Sequence, residues 1–136
     1  MSPIAKSSGI GWTTCSVDDS GGTLRAIIND VTELDFATPR AVFDWTGIDK
    51  SAMERGLGLA DFSINLQCVW NPSATTTMFA VFSTMGTART TTLVVGGKTL
   101  TNEVLYTDFQ LKRGADGDFR ATVPGVLADG TVPTWS

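Results

Sequence analysis

Two acidic pairs and one glycine-lysine run are the residues of this chain whose types and spacing could carry chemistry. Asp18-Asp19 and Asp116-Gly117-Asp118 bring carboxylates together, as acid–base catalysis or calcium binding would need. Both pairs lie in turn clusters, Asp18-Asp19-Ser20-Gly21-Gly22 and Gly114-Ala115-Asp116-Gly117, where aspartate serves by accepting hydrogen bonds from its own backbone. No Asp-x-Asp-x-Asp-Gly loop with a distal Glu accompanies them. Gly96-Gly97-Lys98-Thr99 imitates the end of a phosphate-binding loop, but position 92, where the first glycine belongs, is Thr92. The residues that follow read as strand and not as a phosphate-holding helix, so a hairpin turn is expected.

Histidine is absent from all 136 residues, which removes the commonest general base and the commonest transition-metal ligand together. No catalytic residue, cofactor or metal site is therefore assigned, and the chain is read as a non-enzyme. Ten basic and 14 acidic residues give a formal net charge of −4, which argues against a surface built to hold nucleic-acid phosphates. Cys15 and Cys68 sit in apolar-alternating contexts and read as small core residues rather than a bridge. The opening Met-Ser-Pro-Ile-Ala-Lys lacks the apolar run of a secretion signal, and no apolar stretch is long enough to span a membrane as a helix. A soluble, cytosolic product is expected.

The elements that would position these residues are mostly strands. Asp61 to Trp70 alternates strictly, with Phe62, Ile64, Leu66, Cys68 and Trp70 on one face. Gly9 to Val17 reads as another strand, and Ile27, Ile28 and Val31 are spaced like a helical turn before Glu33-Leu34-Asp35-Phe36 resumes alternation up to Pro39. After Asn71-Pro72, Ser73 is placed to cap a helix running to about Met85, with Met78, Phe79, Val81, Phe82 and Met85 on one face and Gly86 as its stop. Arg89 to Val95 and Lys98 to Tyr106 form a hairpin about Gly96-Gly97, and the strand signal runs on through Phe109 and Leu111 to Lys112. Phe119, Ala121 and Val123 follow, and Pro124-Gly125 is expected to break the run. The fold class is mainly β (α+β): one domain over residues 1–136, an antiparallel sandwich or small barrel with one flanking helix.

The segment from Pro39 to Ala60 does not fit that pattern. It carries Val42, Phe43, Trp45, Ile48, Met53, Leu57 and Leu59, while Gly47, Gly56 and Gly58 interrupt any regular element. Connections longer than about 12–15 residues without structure of their own are uncommon unless functional. A single copy would have to fold this segment back on itself or leave these apolar side chains in water, so the segment reads as an arm that contacts other subunits. Lys50 and Arg55 beside Asp49 and Glu54 are either a solvated face or ion pairs across that contact. The residues leave open whether the arm is a β-hairpin or an irregular loop.

Several stretches together resemble the major tail tube protein of long-tailed, siphovirus-like bacteriophages and of phage-like gene transfer particles. They are Cys15 to Arg25, Asn29 to Arg40, the arm from Asp44 to Arg55, the strand from Asp61, and the ending Val123 to Trp135. The resemblance implies a β-sandwich with one helix, hexameric rings joined by sheet continuation, and stacking into a hollow non-contractile tube. It further implies that the arm, with Val42, Phe43, Trp45, Ile48, Lys50, Met53, Glu54, Arg55, Leu57 and Leu59, reaches a neighbouring ring. The implied partners are further copies of the chain and the tape-measure, tail terminator and distal tail proteins. DNA would cross the lumen without specific binding, no membrane would be involved, and assembly in the bacterial host cytoplasm would place the product in the virion tail. A capsid decoration or baseplate module is the alternative assembly reading. Trp12, Trp45, Trp70 and Trp135 prompt a carbohydrate-binding β-domain as a further one.

Overall fold

Alternation of apolar and polar residues decides the architecture of the computed structural model, which describes residues 12–73, 77–84 and 86–136. Ten strands and one helix are present among these residues: β1 (Thr14–Asp18), β2 (Leu24–Ala26), β3 (Val31–Ala37), β4 (Arg40–Asp44), β5 (Arg55–Ala60), β6 (Ser63–Val69), α1 (Met78–Phe82), β7 (Arg89–Val95), β8 (Lys98–Tyr106), β9 (Gln110–Arg113) and β10 (Phe119–Leu127). The main sheet follows the path β2-β1-β7-β8-β10-β6-β3, with β9 on the flank of β10, and β4-β5 stand apart as a separate pair. All pairings are antiparallel.

β10 makes one sheet into two layers. Its first half lies between β6 and β9, from Phe119↔Arg113 to Thr122↔Gln110, and its last residues pair with β8, from Gly125↔Tyr106 to Leu127↔Val104. Pro124 and Gly125 do not break the strand as expected; they stand where it changes partners. The Pro124 carbonyl accepts from the Thr107 amide at 3.0 Å, and its nitrogen, which has no hydrogen to donate, falls where β10 passes from one neighbour to the next. A Cβ on Gly125 would lie 2.6 Å from Val104 Cγ1 and 3.0 Å from Ile64 Cγ2, so only glycine lets the strands approach there.

The two inner faces meet in one core of Cys15, Val17, Leu93, Leu100, Val104, Ile64, Leu66, Cys68, Ala121 and Val123. This is a sandwich and not the closed barrel that was its alternative. Trp12 touches Phe36 edge-on at 6.2 Å across the open side, but no strand pairing joins β1 or β2 to β3 among the described residues. Trp12 and Trp70 are half-buried against this core, Trp70 between Phe79 and Phe119 at 5.5 and 5.1 Å.

Asp30 is the buried polar knot of the fold. Its carboxylate accepts from Asn71 Nδ2 and from the Met78 amide, both at 2.9 Å, and its backbone carbonyl accepts from the Val69 amide at 2.9 Å. One residue thus ties the turn before β3 to the end of β6 and to the first amide of α1, which needs an acceptor. The helix is shorter than the 73–85 expected. Thr77, not Ser73, is its N-cap, with Oγ1 accepting from Ala80 at 3.3 Å and donating to the Ser73 carbonyl at 2.6 Å. Ser83, not Gly86, is the C-cap, and Met85 lies outside the described residues. Gly86, at φ 140°, instead redirects the chain towards β7.

Other expectations shift by a few residues for local reasons. The first strand begins at Thr14, and residues 9–11 of its expected span lie outside the described residues. Ile27 to Asp30 is a single hydrogen-bonded turn, Asp30 N to Ile27 O at 2.9 Å, and not a helix. Asp108 accepts from the Phe109 amide at 2.8 Å and Gln110 Nε2 at 2.9 Å, which separates β9 from β8. The Gly96-Gly97 turn is as expected, with φ of 59° and 79°, the two positive values that a two-residue hairpin turn requires.

Leu66 is fully buried at the centre of β6. Leu66→Ala lowers stability by about 2–5 kcal/mol in urea unfolding, the cost of a core cavity; a loss under about 1 kcal/mol contradicts its placement. Both cysteines are free and buried, and desolvation pushes each thiol from the ordinary 9.0 up to about 12. The folded state therefore keeps protons that the unfolded chain loses, so this stability is present below about pH 9 and lost as pH rises towards about 12. Urea midpoints fall across that alkaline window, and more steeply than in a Cys15→Ala/Cys68→Ala variant; parallel slopes contradict the assignment.

Candidate assembly interface

Pro39 ends β3, and the arm that follows is a β-hairpin. Asp61 N to Pro39 O at 2.8 Å closes its base, and Val42↔Leu57, Phe43↔Gly56 and Asp44↔Arg55 are paired. Its register slips between Arg40 and Val42, a bulge that turns the hairpin as it leaves the body. At the tip Trp45 N donates to Glu54 O at 2.8 Å, and the Thr46 hydroxyl donates to Asp44 Oδ1 at 2.7 Å while accepting from the Glu54 amide at 2.8 Å. The Thr46 hydroxyl holds the Asp44 carboxyl below its ordinary range. These bonds shape the tip without tethering it to the sandwich.

Gly56 and Gly58 are seats for aromatic rings and not interruptions. A Cβ on Gly56 would fall 2.1 Å from Trp45 Cζ3, and one on Gly58 would fall 2.8 Å from Phe43 Cε2. The two rings lie over the opposite strand and stack at 6.0 Å and 17°. One face of the hairpin is thus an aromatic plate. On the other face Val42, Leu57 and Leu59 stand in solvent, Leu59 at 88% exposure, and Ile48 and Met53 project at the tip. Half of the large exposed apolar side chains among the described residues lie in this one hairpin. Fully burying a large apolar side chain contributes roughly 1.5–3 kcal/mol, so a surface covering several of them gains considerable free energy.

The structure brings all ten sequence-predicted arm residues onto this hairpin. Charge plays a small part within it: Lys50 Nζ lies 3.8 Å from Asp49 Oδ2 with both exposed, a separation at which such pairs contribute little. Three of the four paired aspartates are engaged in turns or with arginine. Asp19 accepts from the Gly21 and Thr23 amides at 2.9 and 3.0 Å and pairs with Arg25 at 2.9 Å, a hydrogen bond that lowers its pKa. Asp116 accepts from the Asp118 amide at 3.1 Å, and Asp118 pairs with Arg120 at 2.7 Å. What the sequence reading missed is the function of the glycines; the alternation Gly56-Leu57-Gly58-Leu59 facing Phe43-x-Trp45 is the signal that would have revealed it.

No protein-family model matches the chain, and no curated protein matches it in sequence. Solved structures do. A chain from the tail of an empty gene transfer agent (GTA) particle, refined helically with C6 symmetry, superposes with a TM-score of 0.72 at 14% identity, covering 96% of this chain and 98% of that one. The fold is tail-tube-like. A chain from the virion of a native GTA particle superposes with a TM-score of 0.67 at 10% identity, covering 97% of this chain and 99% of that one. The likeness spans the sandwich, the helix and the arm together, so the expected fold class holds at full length.

The ring seats generate a direct expectation. Gly56→Ala lifts the Trp45 ring off the strand and changes the near-ultraviolet circular dichroism, while the unfolding free energy from urea titration changes by no more than the roughly 0.5 kcal/mol typical of surface changes. An unaltered near-ultraviolet spectrum contradicts the seat.

Proposed function

We propose that the chain is the repeating subunit of a phage-like, non-contractile tail tube, with residues 1–136 acting as one structural unit that forms hexameric rings stacked into a conduit for DNA. The observation that carries this reading is a hairpin apolar on both faces whose large apolar side chains stand exposed among the described residues. The C6 symmetry of the GTA tail whose chain shares the fold supports a six-membered ring. In such a ring the arm reaches the neighbouring layer, and its Lys50, Glu54 and Arg55 meet charges of another copy. The net charge of −4 keeps transiting DNA from adhering. The role needs no catalysis. Its partners are other copies along the tube and, at the ends and in the lumen, tail terminator, distal tail and tape-measure proteins. It is assembled in the bacterial cytoplasm and resides in the virion tail.

Sedimentation and negative-stain imaging of the purified protein at rising concentration test the reading: rings and tubes are expected, and single copies at every concentration overturn it. Trp45→Asp keeps the far-ultraviolet circular dichroism of the parent and forms no tubes. Tubes of normal yield in that variant remove the arm from the interface.

A further inference from the structure

Among the described residues, the two unpaired edges of the β9-β10-β6-β3 layer carry opposite charge. β3 ends the sheet on one side and holds Glu33 and Asp35, both exposed, with no basic residue in the strand. β9 flanks the other side, is exposed throughout, and holds Lys112 and Arg113 with no acidic residue. Acids do lie in the turns at its ends: Asp108 is engaged with Phe109 and Gln110, and Asp116 with the Asp118 amide. Asp118 is paired with Arg120, which also reaches Thr32 Oγ1 at 3.2 Å. The remaining outer edge, β2, is only three residues long, and its Arg25 is tied to Asp19. Between the charged edges the outward face carries Asn65, Gln67 and Thr122, with Arg120 beside them, paired to Asp118 and within reach of Glu33's charge.

Register and direction make these edges complementary. Glu33 stands beside Gln67, Gln67 beside Thr122 and Thr122 beside Gln110, so Glu33 and Gln110 share a face, and period two places Asp35 and Lys112 on it as well. Each successive pairing is antiparallel, so β9 runs opposite to β3. Setting β9 of one copy against β3 of the next therefore continues the antiparallel order, a head-to-tail contact of the kind that closes into rings. With Glu33 opposite Lys112, Asp35 falls opposite Gln110; shifted by two, Asp35 meets Lys112. A slip by one residue would turn the side chains to opposite faces. In either allowed register Lys112 meets a carboxylate.

Resting on the assembly reading above, we propose that β3 of one copy docks on β9 of the next, with Glu33 and Asp35 against Lys112 selecting the register and polarity of the ring. Opposed like charges at such a contact repel, and added salt weakens it.

A charge-exchange experiment tests this. Lys112→Glu alone and Glu33→Lys/Asp35→Lys alone each give a folded chain by circular dichroism whose two edges match in sign on the face carrying Glu33, Asp35 and Lys112, and each needs about tenfold or more concentration to assemble than the parent. Mixed in equal amounts the two variants alternate and assemble near the parent concentration, because each junction again joins opposite charges. Lys112→Gln gives a smaller rise, and the parent itself assembles less readily as salt increases. Should the parent assemble while Lys112→Glu does so equally well, or while the mixture stays dissociated, the edge assignment falls and the assembly reading stands. Assembly of the parent that strengthens with salt also overturns the assignment, without needing any variant. A parent that never assembles overturns both.

Discussion

A two-stranded hairpin has two faces and no third layer with which to hide either. Most of this chain solves that problem for itself: the two sheet layers fold onto one core through β10, and α1 adds Met78, Val81 and Phe82 to the same cluster. The hairpin at 40–60 does not. Phe43 and Trp45 cover Gly58 and Gly56 on one side, while Val42, Leu57 and Leu59 stand clear on the other. A strand pair of this size is marginal in water unless its apolar surface packs against something.

Among the described residues, the body presents the arm while leaving its large apolar side chains exposed. Pro39 and the Asp61–Pro39 hydrogen bond set the hairpin's base directly between two paired neighbours, β3 and β6. Asp30 fastens the far end of the same two strands to the helix. Strain or motion at the arm is therefore received by a pair of strands anchored at both ends. Of the residues that resembled a site, Asp19, Asp116 and Asp118 are engaged in turns or arginine pairing, and Gly96-Gly97 forms a hairpin turn.

Much of this was legible before any coordinates. Period-two alternation placed β6 and its buried face, because one side of that strand meets core and the other solvent. Gly96-Gly97 gave the hairpin turn, since two successive positive φ values admit few other residues. Where the reading failed, a long-range partner overrode a local rule. Pro124-Gly125 looks like a stop until β10 is seen changing partners at that point, and Ser73 looks like a cap until Thr77 and the distant Asp30 take over the helix start. The arm's glycines were misread for the same reason: their meaning lies in rings contributed by the opposite strand. The opposite charges of β3 and β9 were visible as composition, but only the strand order makes them two ends of one layer.

The central claim is that the hairpin is covered by other copies of the chain. Amide hydrogen exchange over residues 40–60, compared between dissociated and assembled protein, tests it most directly. The account predicts that these amides exchange rapidly in the dissociated chain and become strongly protected on assembly, while β6 is protected in both states. Hairpin amides that exchange equally fast in the assembled particle would contradict it.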